Sequence, residues 1–482
     1  MSQLSAVDAT FLNVETATHS AHIAGLGLLD PASCPGGRFT PEAAAELIAR
    51  RAHLAPRPLK RRLVAVPFGL DHPYWEDDPD FDPARHISEI TLPAPGDDEQ
   101  LARAVALLHE RPLERDRPLW EMTIVQGLSG GRAALYVKVH HAAIDGVLAA
   151  ETIAALLDLS PEPRDVPADD AAPRRGPGPL AMAGTGLLRM ATQPVSAALA
   201  AARSVPYLDE IPGLGTVPGV GAVARLAQSA LGHEEPPPAP AAAPPTPFNR
   251  PIGAGRAVAF GSLDLAEVKA VKHALGGSVN DVVMALCASA LRTWLDKRGD
   301  LPDVPLVAGV PVSLRRAGRA SGGDAGNEVT IMTTPLATHV ADPASRYAAV
   351  RADLTAMKHR FAASAGAWAR DIAGMVPPPL AGPLTRLALR AAPATGVLPL
   401  NIVVSNVPGP QFPLYLGGAK VLAYYPISVI TDLTGGLNIT VFSYDGHLDV
   451  GIVSCPALVP DPSDLLDHLT DALDELKHLA RE

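Results

Sequence analysis

The sequence predicts a chain of the α/β or α+β class, built as two halves on either side of a proline-rich joint. Hydrophobic residues fill 47% of the 482 positions and charged residues 19%, the balance of a chain with real cores rather than a disordered one. Each half mixes runs that alternate with period 2 and stripes that repeat every three to four residues, so both contain strands and helices. Of the 49 prolines, 17 fall within residues 161–250. Each removes an amide donor and restricts the residue before it, which argues against long helices there. Residues 1–160 therefore read as a first domain, 161–250 as a connector with short helices, and 251–482 as a second domain.

In the first domain, Met122 to Val125 and Ala133 to Val139 read as strands, separated by Gly127-Leu128-Ser129-Gly130-Gly131, which has hairpin-turn chemistry. That pentapeptide also matches the G-x-S-x-G elbow of serine hydrolases. An elbow needs a helix after it, and another alternating run follows here. From Gly146 to Leu157 the spacing turns helical, with Val147, Ala150, Ile153 and Leu157 on one face. Within the connector, Ala181 to Ala202 is mostly Ala and Gly and is interrupted by Arg189, Gln193 and Pro194. It reads as linker or surface helix rather than a membrane span. Val220 to Leu231 reads as a short helix, and Pro236 to Pro247 as an extended, semi-rigid run.

The second domain opens with a strand at Ala257 to Leu263 and a helix from Leu265. Ser278-Val279-Asn280-Asp281 is a capping box ahead of a stripe of Val283, Leu286, Leu291 and Trp294 that stops at Gly299. Leu306 to Val312 and Leu400 to Val404 read as buried strands, and Asp464 to Leu479 as a closing amphipathic helix.

Charge and cysteine usage exclude several functions. Forty Lys and Arg against 51 Asp and Glu leave a net charge of −11, the wrong sign for holding nucleic acid through its phosphates. Cys34, Cys287 and Cys455 are odd in number and far apart, which suggests neither a disulfide framework nor a zinc site and fits a reducing, cytoplasmic compartment. Met1 to Asp8 has no basic region before an apolar run, so no signal peptide is expected.

The chemistry concentrates in Val139-His140-His141-Ala142-Ala143-Ile144-Asp145-Gly146, at a strand-to-helix junction. Alternation puts Leu135, Val137, Val139 and His141 on one face and Tyr136, Lys138 and His140 on the other. Divergent imidazoles argue against a metal held by His140, His141 and Asp145. They favour one working imidazole, His141, able near neutrality to take a proton from a hydroxyl and return it. Each residue also has a plain structural reading: a buried histidine in a core, Asp145 as a helix cap, Gly146 as turn chemistry.

Taken together, His-His-x-x-x-Asp-Gly resembles the signature of the coenzyme A dependent acyltransferase superfamily, which includes chloramphenicol acetyltransferase and peptide synthetase condensation domains. Pro112 to Glu121, with Pro118-Leu119-Trp120 at its centre, is similar to the Pro-Leu-Trp block of bacterial wax ester synthase/diacylglycerol acyltransferases. So are Leu4 to Leu12, Val279-Asn280-Asp281-Val282-Val283, Asn249 to Gly253, Pro311-Val312-Ser313-Leu314-Arg315 and Ser405 to Pro410. The resemblance spans nearly the whole chain outside the connector.

It implies two chloramphenicol-acetyltransferase-like α/β domains, each a mixed sheet with flanking helices, around a central tunnel. Acyl-CoA and diacylglycerol or a fatty alcohol would enter from opposite sides, with His141 as general base and no acyl-enzyme. It further implies that Asp145 orients the motif by pairing with an arginine, carried here onto Arg315, and that His140 and Gly146 are architectural. Asn280 is a candidate oxyanion donor or simply part of the capping box with Asp281. Pro118, Leu119 and Trp120 read as packing residues. No metal or prosthetic group is expected, coenzyme A being part of a substrate. Lipid-soluble substrates imply peripheral association with a membrane or lipid inclusion, through the apolar stretch from Leu180 to Tyr207. The competing readings are a condensation-type catalyst fed by an acyl-carrier protein, for which the Pro-Leu-Trp block is atypical, and a non-catalytic lipid-binding protein, for which His141 and Asp145 have no use.

Overall fold

A computed structural model of the chain describes residues 2–55, 59–144, 146–167, 176–211, 214, 217, 219–231, 242–314, 327, 329–364, 367–395 and 398–481. The first half runs α1 (Ala6–Asn13), β1 (His22–Asp30), α2 (Pro41–Arg51), β2 (Arg61–Val64), β3 (Tyr74–Asp77), β4 (Ile87–Thr91), α3 (Asp98–Glu110), β5 (Trp120–Gln126), β6 (Ala133–His140) and α4 (Gly146–Leu156). The connector holds α5 (Pro179–Ser204) and α6 (Val220–Ala230). The second half continues with β7 (Ala257–Asp264), α7 (Leu265–Leu275), α8 (Val279–Asp296), β8 (Leu306–Ser313), β9 (Val329–Leu336), α9 (Pro343–Ser364), α10 (Ala367–Met375) and α11 (Pro378–Thr395). It ends with β10 (Ile402–Pro408), β11 (Tyr415–Leu416), β12 (Ala419–Ile427), β13 (Leu437–Tyr444), β14 (His447–Ser454) and α12 (Pro462–Leu479).

Two six-stranded mixed sheets result, ordered β11-β12-β1-β6-β5-β4 and β7-β14-β13-β10-β8-β9. The glycine-rich turn joins β5 to β6 as an antiparallel hairpin, with Gly127, Gly130 and Gly131 all at positive φ, a region open to glycine without strain. The elbow alternative fails on topology. The predicted capping box starts α8: Ser278 Oγ accepts from Asp281 N, and the Asp281 carboxylate accepts from Ser278 N at 2.7 Å.

Chain order and sheet order part company at β11 and β12. Residues 415–427 lie in the second half of the chain, yet β12 pairs antiparallel with β1 of the first sheet. A bulge sets Leu28 opposite Ala423 and Leu29 opposite Val421, leaving Leu422 unpaired. One extra residue exchanges the two faces of a strand. Val421 accordingly joins the core under α2, while Ala423, Tyr425 and Ile427 join the core shared with α3, β7 and β14.

The connector corrects one expectation. Helix α5 is 26 residues long with Pro194 inside it, although the proline density argued against long helices; it covers the Ala181–Ala202 stretch read as linker or surface helix. The prolines are unevenly spread: α5 holds two, and Pro179 sits at its first position, where no amide donor is lost to the helix. Pro194 alone interrupts the bonding, at a typical cost of about 3 kcal/mol, which the packing of α5 against α10 offsets. Of the Pro236–Pro247 run, residues 236–241 lie outside the described residues, and 242–246 form no regular element.

No single helix among the described residues is long and apolar enough to cross a membrane. The α7–α8 pair passes that test only as two segments bent by 99°, and α8 is largely buried in the second core.

Candidate active site

Strand β6 delivers the double histidine. Its Leu135, Val137 and Val139 face one side, whereas Tyr136 packs in the core on the other, as alternation requires. The strand ends at His140, and the chain turns over His141–Ala143, with Ala143 N donating to His140 O at 2.9 Å. The Pro-Leu-Trp block abuts this turn. Leu119 O accepts from His140 N at 3.0 Å, and Trp120 opens β5 with its Nε1 donating to Leu59 O at 2.7 Å. Pro118, Leu119 and Trp120 are all buried, so the block braces the motif from the neighbouring strand.

The two imidazoles have different surroundings. His140 is 1% exposed. Its Nδ1 accepts from Ala142 N at 3.0 Å, and its Nε2 faces the Glu15 carboxylate at 3.1 Å. An accepting Nδ1 puts the proton on Nε2, toward that carboxylate. Glu15 also accepts from Ala21 N at 3.2 Å and from Arg115 Nε at 3.1 Å. Burial by itself raises the Glu15 pKa. The hydrogen bonds from His140 and Arg115, with the positive charge beside it, outweigh it and bring the carboxyl down to about 2.

His141 is half-buried. Its N–H donates to Ala21 O at 2.8 Å, its carbonyl accepts from Asn327 Nδ2 at 2.7 Å, and its ring stacks on that of Phe11. Ala21 therefore links the two histidines: its amide is held by the carboxylate beside His140, and its carbonyl holds His141.

An apolar cavity of about 870 Å³ lies against this face of β6. Its floor includes Gly25 and Gly27 of β1 with Leu135, Val137 and Val139, and its far wall includes Leu156 of α4. Leu416, Val421 and Tyr424 close it from the second half of the chain. A smaller cavity of about 490 Å³, lined by Arg61, Trp75, Leu119 and Trp120, shares Val139, Ile144 and Thr152 with it. Both reach the motif at Val139 and Ile144, on either side of His141 in the chain. The His141 ring is in neither lining.

Gly146 begins α4. Asp145 and Arg315 lie outside the described residues. Asn280, on the first turn of α8, accepts from Asn406 Nδ2 at 3.4 Å. Asp281 caps α8 and sits 3.6 Å from Lys358 Nζ. Sequence reasoning missed Glu15, Phe11, Asp8 and Asn327. Asp8 and Phe11 stand inside the Leu4–Leu12 block, so a signal existed for them. Glu15 and Asn327 carry none, being contacts made only by folding. Among the described residues no group of three or more His, Cys, Asp or Glu side chains is arranged to hold a metal ion.

Comparison with known proteins shows the family. Residues 4–283 match the wax ester synthase/diacylglycerol acyltransferase catalytic domain and residues 325–477 its C-terminal domain. A putative diacylglycerol O-acyltransferase of Mycobacterium tuberculosis is 36% identical over 99% of this chain and 90% of its own length. Another of that organism, named a probable diacylglycerol O-acyltransferase, is 37% identical over 98% of this chain and 97% of its own. The solved wax ester synthase/diacylglycerol acyltransferase of Marinobacter aquaeolei VT8 superposes over the full length of both chains with a TM-score of 0.69 at 28% identity. The starter condensation domain of rhizomide synthetase, at 14% identity and a TM-score of 0.51, shares the fold. With both family domains matched in order and relatives 36–37% identical over nearly the whole chain, the chain belongs to the wax ester synthase/diacylglycerol acyltransferase family.

Proposed function

We propose that the protein transfers the acyl group of an acyl-CoA to the hydroxyl of diacylglycerol, giving triacylglycerol, or of a long-chain alcohol, giving a wax ester. The observation that carries this reading is the apolar cavity of about 870 Å³ that runs along β6 and reaches the motif at Val139 and Ile144, on either side of His141 in the chain. An apolar channel binds an alkyl chain through roughly 0.8 kcal/mol per buried methylene, and this one is lined by the residues that flank the motif.

His141 takes the hydroxyl proton as the alcohol oxygen attacks the thioester carbonyl. The C–S bond then breaks, and the thiolate of coenzyme A receives that proton from the imidazolium. Thiols ionise near pH 8.5, so the leaving group needs little acid assistance. Holding both reactants beside one base removes much of the entropic barrier. Asn280, whose Oδ1 is engaged by Asn406, directs its amide donors at the oxyanion, a role worth roughly 3 to 4 kcal/mol. No prosthetic group is required.

The reaction takes place at a lipid surface. Phe68 is 93% exposed on the turn Pro67–Gly69, which touches both α5 and α11. Leu180, Leu187 and Leu188 of α5 and Leu384 and Leu387 of α11 are exposed too. Clustered exposed apolar side chains favour a lipid interface over water.

The test is purified protein with labelled acyl-CoA, offered diacylglycerol and a panel of long-chain alcohols. Ester and free coenzyme A are expected, with turnover lost in His141→Ala while the fold persists. Undiminished turnover in that variant, or transfer from an acyl-carrier protein but not from acyl-CoA, overturns the reading.

A further inference from the structure

We propose that Asn327 is a positioning residue for His141 and that, through Asp8, it makes the placement of the base depend on how the second half of the chain seats against α1. The inference rests on His141 acting as the base.

Asn327 lies two residues before β9 and is 3% exposed; Asp8 lies on α1 and is 1% exposed. The Asn327 main-chain N and its Nδ2 both donate to Asp8 Oδ1, at 2.9 and 2.6 Å, while Nδ2 also donates to His141 O at 2.7 Å. The two hydrogens of one amide group are thus spent on two acceptors from different elements. Turning the amide over would set Oδ1 against a carboxylate and a carbonyl, so the orientation is determined by its surroundings. An N–H shared with a buried carboxylate is a charge-assisted bond, stronger than a neutral one.

The same helix reaches the imidazole by a second route. Phe11 follows Asp8 by three residues, a spacing that puts both on one side of α1, and its ring lies on that of His141. Helix α1 therefore holds His141 twice, directly through Phe11 and indirectly through Asp8 and Asn327. A further main-chain contact, His141 N to Ala21 O, comes from the residue just before β1. Among these contacts only the one through Asn327 comes from the second half. It ties the base to the part of the chain that also closes the cavity with Leu416, Val421 and Tyr424.

A tie that merely glued two halves together would affect stability. A positioning tie affects rate at constant affinity, because a displacement of about 1 Å at a reacting group typically costs on the order of 100-fold. The exchange Asp8→Asn with Asn327→Asp separates the two. It restores a hydrogen bond between positions 8 and 327 with the polarity reversed, but an aspartate at 327 has no side-chain donor for the His141 carbonyl.

The expected results are a fall in kcat of roughly 10- to 100-fold in Asn327→Ala, with the KM for acyl-CoA within about twofold. In the exchange variant the thermal midpoint should recover toward the wild type while kcat stays low. His141→Ala is run alongside. Activity in that variant refutes the base itself. An inactive His141→Ala together with normal kcat in Asn327→Ala, or kcat recovering with stability in the exchange variant, overturns the positioning role alone. Should Asn327→Ala fail to fold, the exchange variant decides the question.

Discussion

The ring of Phe11 lies flat on that of His141, with centroids 4.0 Å apart and planes 6° from parallel. One face of the imidazole is therefore covered by a side chain from α1, and substrate has only the other face and the ring edge to approach. Stacked pairs of this kind contribute about 0.5 to 1.5 kcal/mol beyond burial.

Replacing that ring should loosen the base more than it weakens the fold. Phe11→Ala is expected to reduce kcat by roughly tenfold or more, with a modest fall in thermal midpoint, while Phe11→Tyr keeps most activity. Steady-state kinetics beside a melting curve check this. An alanine variant with wild-type kcat would remove the stacking from the account of the site.

Chain length should be set from the floor of the apolar cavity. A Cβ built at Gly27 meets only Leu135 O, at 3.9 Å, so a larger side chain there enters the cavity; one at Gly25 overlaps the Tyr424 hydroxyl. Gly27→Val should fill space that several methylenes would occupy, at about 0.8 kcal/mol each. The preference for the longest acyl-CoA should shift toward chains shorter by about two to four carbons, read as kcat/KM across a donor series. An unchanged profile would mean that the acyl chain lies elsewhere.

Acid stability should depend on Glu15. Its carboxyl is held at about 2 in the folded protein against an ordinary value of 4.5. A depressed acid contributes stability above its unfolded pKa and loses it as pH falls through the folded one, here between about 4.5 and 2. The contribution is on the order of 3 kcal/mol. Glu15→Gln should be less stable than the wild type at pH 7, and the gap should narrow toward pH 2. Denaturant titrations across that range measure it; a gap independent of pH would show that the ionised carboxylate is not what holds His140.

Lipid attachment should reside in the surface around Phe68. Phe68→Ser combined with Leu187→Ser and Leu188→Ser removes three exposed apolar side chains, each worth up to about 1.5 to 3 kcal/mol when buried. Cosedimentation with phospholipid vesicles should fall at least tenfold, while turnover of a short, water-soluble alcohol stays within about twofold. Undiminished sedimentation would move the contact to another face.

Local signals in the chain were enough for the hairpin from Trp120 to His140, the boxed start of α8 at Ser278 and the closing helix α12, because each depends on turn residues, caps and periodicity acting over a few positions. The His-His-x-x-x-Asp-Gly run was legible for the same reason, together with the ordered blocks that resemble one family. Long-range pairing was not. That β12 crosses to lie beside β1, that Pro194 sits within a 26-residue helix, and that Asp8 and Asn327 meet at the His141 carbonyl depend on partners up to some hundreds of residues away. Chain order determined which residues could do chemistry, while tertiary packing decided which of them are held together, since a buried carboxylate or amide takes its partner from whatever the fold brings within hydrogen-bonding distance.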